Sequence, residues 1–153
     1  MGFHVRLAQS ADLNELTQMR TLMWPDGPFE EHQRELSSLL SGETVSTLPV
    51  ETFVAVGETG ALIGFLEAGL RSHADGCDPL RPVGYVEGWF VHDAFRGQGA
   101  GKALIYAAEE WARSQGCREM ASDALIDNEV SIQAHLRLGY EAGDRCVHFR
   151  KGL

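Results

Sequence analysis

Arg96-Gly97-Gln98-Gly99-Ala100-Gly101-Lys102 sets three glycines on alternate positions between two cations. Glycine lets a backbone come close to a ligand and turn its N–H groups toward it. The loop runs straight into helical spacing, with Ala103, Leu104, Ala107, Ala108 and Trp111 on one face. The first N–H groups of such a helix have no partner inside it and stand at its positive end, so loop and helix start together form an anion site suited to phosphates. The competing reading is a glycine-rich turn that caps a surface helix. A second chemical feature precedes the loop: Glu87 interrupts Tyr85-Val86-Glu87-Gly88-Trp89-Phe90-Val91, whose other members are apolar or glycine. A carboxylate in such a strand needs compensation. Either an arginine pairs with it, or it serves a cleft as a base or as a ligand for a cation.

The common phosphate loops need glycine at fixed places, and two of them fail here. A Walker-type loop requires glycine where Arg96 stands and a Ser or Thr where Ala103 stands, so the magnesium-binding hydroxyl is missing. A dinucleotide fingerprint beginning at Gly97 requires its third glycine at Lys102.

The elements that must hold these groups follow from periodicity and breakers. Val5-Arg6-Leu7 predicts a first strand, and Ala11 to Met23 a helix with Leu13, Leu16, Met19, Leu22 and Met23 as its buried stripe. Trp24-Pro25-Asp26-Gly27-Pro28 breaks it, and a second helix runs from Phe29 to Ser41. Glu30, Glu31 and Glu35 make the outer face of that helix acidic, which reads as a solvated face or as a substrate-facing one. Trp24 is either a pocket wall or a core plug. Thr52–Val56 and Ala61–Ala68 form a hairpin about Gly57-Glu58-Thr59-Gly60, and a polar loop from Arg71 to Pro82 leads to the strand Val83–Val91. After the glycine-loop helix, which Gly116 stops, a strand is expected near Arg118 to Asp123. Asp127-Asn128 then caps a helix to Leu138, and Tyr140 to Arg150 holds a last strand.

At 153 residues the chain suits a single domain, 1–153, and no apolar run is long enough to cross a bilayer, so no membrane partner is expected. The start MGFHVRLAQS lacks a signal-peptide pattern, which points to the cytoplasm. Cys77, Cys117 and Cys146 have neither paired metal-ligand spacing nor an even count, so no metal and no disulfide is expected. A net charge of −9 argues against nucleic acid and favours a cationic partner.

Arg-x-x-Gly-x-Gly, here Arg96 to Gly101, resembles the acetyl-CoA pyrophosphate loop of the GNAT superfamily of N-acetyltransferases. The resemblance implies an α/β (α+β) GNAT fold: a mixed central sheet flanked by helices and splayed to admit acetyl-CoA. It gives pantetheine to Phe90 and Val91, and pyrophosphate to Gln98, Gly99, Ala100, Gly101 and Lys102 with Arg96 beside them. Trp24-Pro25, Glu87-Gly88, Cys117 to Asp123, Asn128-Glu129 and Cys146 to Lys151 narrow it: over nearly the whole chain these are similar to aminoglycoside 6'-N-acetyltransferases. That likeness implies Glu87 and Asp123 as binders or activators of the acceptor amine, although Asp123 can also be a turn carboxylate. It further implies Trp24, Tyr85, Glu129 and Asp144 around a cationic aminoglycoside, Asn128 toward the cofactor, no metal, a homodimer and a part in antibiotic resistance. Where the superfamily often has a thiolate-protonating tyrosine this chain has His135, an acid or a plain packing residue. The rivals are a GNAT enzyme for a polyamine or a protein N-terminus, and a non-catalytic acyl-CoA-binding module.

Overall fold

The computed structural model describes residues 2–43 and 46–153. Its frame is a five-stranded sheet in which spatial order equals chain order: β1 (Phe3–Leu7), β2 (Val50–Gly57), β3 (Leu62–Arg71), β4 (Val83–Val91) and β5 (Met120–Ser122). The first four pair antiparallel, β2 and β3 through a short turn, whereas β4 and β5 pair parallel. A parallel pair needs a crossover. The helix α3 (Ala100–Ser114) supplies it, and α1 (Leu13–Met23), α2 (Phe29–Leu40) and α4 (Glu129–Arg137) complete the layers.

Both faces of the sheet are covered, which is why β2 and β3 read as apolar runs rather than as alternation. On one face Leu16, Met19 and Leu36 of α1 and α2 bury Val54, Val56, Leu62 and Phe65. On the other, Leu104, Ile105 and Ala108 of α3 bury Phe53, Ala55, Leu66 and Val86. Phe65 is fully buried at the centre, and its truncation to alanine would cost about 3–5 kcal/mol.

Two irregularities shape the middle of the sheet. Glu67 pairs with Gly88 and Ala68 with Val86, so Glu87 is an extra residue, a β-bulge that bends β4 and re-aims its side chains. The strand β5 ends at Ser122 opposite Val86, so β4 continues to Val91 with no strand on that side among the described residues. The expected splay is there.

Two boundaries differ from expectation. A single 3-10 turn at Ser10–Asp12 precedes α1, because Asp12 is drawn into an ion pair with Arg6 instead of extending the helix. The strand expected within Tyr140 to Arg150 does not form: residues 141–153 carry no regular structure and leave Val147 and Phe149 exposed. Alternating side chains make a strand only beside a backbone edge, and this segment pairs with none among the described residues.

Candidate active site

The edge of β4 beyond Val86 is the first component. The His92 N–H donates to the Ile63 carbonyl at 2.9 Å, and strand alternation from that point turns the backbone of Phe90 toward β3 and those of Trp89 and Val91 toward the gap. The Val91 carbonyl accepts from Arg96 Nε at 3.0 Å. The Phe90 ring lies on the other side, where with Leu22, His92, Asp93, Ala94, Phe95 and Arg96 it lines an open hollow of about 610 Å³. Of the two residues expected to meet pantetheine, Val91 therefore turns its backbone to the gap and Phe90 its ring to the hollow.

The glycine loop is the second. Gly97 and Gly99 have φ of 75° and 93°, in the left-handed region that side chains resist. Gly99 caps α3, whose first turn has neither a capping side chain nor an acidic residue, so nothing in the loop competes for the N–H groups. Arg96 is partly engaged in holding the loop, through Val91 and an ion pair with Asp93 at 3.1 Å. Gln98 Nε2 reaches the Ala94 carbonyl at 3.4 Å, and Lys102 Nζ lies 5.4 Å from the Tyr106 ring centre. Gly101 has a different reason to be glycine. Its carbonyl accepts from Trp89 Nε1 at 3.2 Å, and a Cβ there would stand 3.2 Å from the same indole. The third glycine thus lets α3 sit on β4.

The third component is a chain of charge that runs from the end of β3 across β4 to the residue after β5. Glu87 projects from the bulge and is exposed, although Tyr85, Val86 and Gly88 around it are buried. Its two oxygens accept from Arg71 Nε at 2.9 Å and Nη2 at 2.7 Å, a bidentate pair. The same guanidinium lies 3.5 Å from the centre of the Tyr85 ring. Tyr85 in turn donates its hydroxyl to Asp123 Oδ2 at 2.6 Å. Burial, then the Asp123 carboxylate, push the Tyr85 phenol well above its ordinary value, so it stays a donor.

Trp24 packs on the strand beside this chain. A Cβ at Gly88 would come within 2.7 Å of both Trp24 and Met23, so glycine after Glu87 makes room for the indole. Beneath it lies His32, a buried residue that the sequence did not single out, with Nε2 3.0 Å from the Trp24 carbonyl and its ring stacked on the indole at 6.5 Å. Half-buried over Gly88, Trp24 acts as plug and wall together. The buried carboxylate of the sheet is Glu67, another residue missed although it too interrupts an apolar run. Burial raises its pKa, and Arg20 stands 3.2 Å away while also reaching Glu35 at 2.9 Å.

His135 lies on the opposite face, edge-on to Trp89 and Tyr140 at 5.2 and 5.6 Å. Asn128 caps α4, its Oδ1 accepting from the Ser131 N–H at 3.2 Å, and Glu129 holds Gln133 at 2.8 Å on the exposed side of that helix. Asp144 lies in the exposed segment 141–153, and no hydrogen bond or ion pair ties it to Glu87 or Asp123.

The sequence model of the Acetyltransferase (GNAT) family matches residues 14–140, which contain the unpaired β4 edge, the glycine loop and the charged chain. This chain belongs to the GNAT family. Among its relatives, the aminoglycoside N(6')-acetyltransferase type 1 of Klebsiella aerogenes is 40% identical over 149 residues, 97% of this chain and 96% of that one. The corresponding protein of Stenotrophomonas maltophilia is 34% identical over 97% and 93%. The solved structure of AAC(6')-Iy with the bisubstrate analogue CoA-S-monomethyl-acetylneamine superposes over 100% of both chains with a TM-score of 0.89 at 32% identity. The 6'-N-acetyltransferase AAC(6')-Ih of Acinetobacter baumannii covers 99% of each chain at a TM-score of 0.86 and 30% identity. This GNAT chain shares their mixed sheet and flanking helices, and the residues on its β4 edge and α3 start fit an extended thioester carrier with a diphosphate.

Proposed function

We propose that this chain is an aminoglycoside 6'-N-acetyltransferase, a single domain over residues 1–153 that moves acetyl from acetyl-CoA to the 6'-amine. The observation that carries the reading is the placement of Glu87 and Asp123 on either side of Tyr85, beside the open edge of β4. Two carboxylates there attract and orient a polycation. The full-length relatives that act on aminoglycosides support the same choice.

In this reading acetyl-CoA lies along the β4 edge, with its diphosphate on the N–H groups that open α3 and its pantetheine beside Val91 and Phe90. The acceptor amine must shed a proton before it attacks the thioester carbon, and Glu87 takes it directly or through a water. The Val91 N–H, facing the gap, stabilises the oxyanion that forms. Attack is direct within a ternary complex and needs neither a metal nor an acyl-enzyme. The product amide has lost a positive charge, which weakens an aminoglycoside's hold on an anionic target and makes antibiotic resistance the role. The chain works in the cytoplasm and as a homodimer, the latter supported by the exposed Val147 and Phe149 in a terminal segment that lacks a strand partner. Sedimentation at micromolar concentration should find the dimer, and a monomer would remove that part.

Thiol release from acetyl-CoA across a panel of amines tests the function. Release with 6'-amino aminoglycosides is expected. Release with polyamines or peptide N-termini alone would move the acceptor class, and binding of acetyl-CoA without release for any amine would make the chain a sensor.

A further inference from the structure

The acceptor side of this chain is already occupied by a cation. Arg71, the last residue of β3, holds both oxygens of Glu87 at 2.9 and 2.7 Å and stacks on the Tyr85 ring at 3.5 Å. A charge-assisted hydrogen bond to a carboxylate and a cation over an aromatic face are also ways in which a site of this composition holds a substrate ammonium. The side chains of Arg71 and Glu87 are 44% and 36% exposed, so a ligand can reach the pair, while its bidentate geometry and the tyrosine stack give it a hold that an ordinary surface ion pair lacks. Asp123, beyond Tyr85, is exposed and gives one oxygen to the tyrosine hydroxyl.

We propose that Arg71 is a specificity-determining residue that holds the place of an acceptor ammonium on Glu87, and that only an acceptor carrying a further cationic group for Asp123 displaces it. This rests on the aminoglycoside reading above and adds a selection rule to it. A single amine gains one contact with Glu87 and must break the Arg71 pair to do so. An acceptor with several ammonium groups replaces that pair and adds a second one at Asp123. The site therefore discriminates by charge count before any chemistry occurs.

The test compares the whole enzyme with Arg71→Gln and Arg71→Lys. Gln removes the internal competitor without stranding a buried charge, because Glu87 is open to water. By calorimetry, Arg71→Gln should bind neamine about 5–10-fold more tightly, with acetyl-CoA binding unchanged, and its kcat/KM preference for neamine over a single-amine sugar should narrow. Arg71→Lys keeps a cation without the fork and should fall between. In wild-type protein, the Arg71 Nε–H resonance should be sharp in the free enzyme and lose its protection when neamine saturates the site. Weaker or unchanged neamine binding by Arg71→Gln, or an Nε–H that stays protected in the complex, overturns the proposal while leaving the aminoglycoside function intact. A wild-type enzyme that neither binds nor acetylates neamine overturns the function and this inference with it.

Discussion

Ser122 Oγ and His135 Nε2 lie 2.7 Å apart, and Nδ1 of the same ring lies 2.7 Å from the Ser131 carbonyl. A carbonyl only accepts, so Nδ1 carries a proton and, in the neutral ring, Nε2 accepts from the serine hydroxyl. Nε2 thus ties β5 to α4 at the point where β4 and β5 part, and Nδ1 braces the ring on its own helix. A ring so bound has no proton to spare for a departing thiolate.

His135→Ala should therefore show itself in folding before catalysis. Loss of two hydrogen bonds and two aromatic contacts should cost about 1–3 kcal/mol in a denaturant titration. Turnover should fall tenfold or less, about 1.4 kcal/mol, because a thiolate leaves well without an acid. A far larger rate loss in a folded variant, with a basic pH limb that vanishes, would make His135 the general acid.

The two carboxylates should separate kinetically. Glu87→Gln keeps the shape and removes the charge, so if Glu87 activates the amine, kcat should fall more than the aminoglycoside KM rises. Asp123→Asn retains an acceptor for the Tyr85 hydroxyl, and its loss of charge should weaken aminoglycoside binding by about 1–3 kcal/mol with acetyl-CoA binding nearly unchanged. Steady-state kinetics with each substrate varied checks both, and equal effects on both substrates in either variant would contradict these roles.

The loop glycines should divide in the same way. Gly99→Val combines a φ of 93° with a side chain in the cradle, and should raise the acetyl-CoA KM tenfold or more with aminoglycoside KM less affected. Gly101→Val pushes against Trp89, 3.2 Å from the new Cβ, and should lose about 1–3 kcal/mol of stability by overpacking. Unchanged acetyl-CoA kinetics in a folded Gly99→Val would place the diphosphate elsewhere.

A stability prediction with a pH sign comes from the N-terminal ion pair. Arg6 hydrogen bonds hold the buried Asp12 carboxyl below its ordinary value, helped by the Gln9 N–H at 2.7 Å. A carboxyl whose folded pKa is depressed stabilises above its unfolded pKa, near 3.9, and that contribution drains as pH falls through the folded value. Asp12→Asn should thus cost about 1.5–3 kcal/mol at pH 7, with the gap between variant and wild type closing as pH falls below the unfolded value of about 3.9. A gap that stays constant from pH 7 to pH 3 would show that the charge is not what matters.

The order of elements along the chain, the helix positions and the glycine loop were legible because each is written in local periodicity or in a breaker, as in Trp24-Pro25 and Gly97 to Gly101. The Arg71–Glu87 pair was foreseen only as an alternative, since register between β3 and β4 decides which arginine faces which carboxylate. The exposure of Glu87 was not legible, because a bulge is invisible in the pattern of side chains it re-aims. Glu67 was passed over for the converse reason: its partner Arg20 lies on a helix forty-odd residues away, and nothing local announces the pair. The terminal strand failed where alternation in Cys146 to Arg150 promised a strand, but a strand also needs an edge to pair with. His32 carried no sequence signal beyond its place on α2, yet it fixes the tryptophan of the break.

The most direct measurement of the central claim takes a matched pair of aminoglycosides that differ only in bearing a 6'-amine or a 6'-hydroxyl. Each is incubated with acetyl-CoA and the chain, thiol release is followed, and the product is analysed by mass and NMR. The account predicts one acetyl group, in amide linkage at the 6' nitrogen, and no turnover of the hydroxyl partner. Equal turnover of both, or an acetyl group at another position, would contradict it.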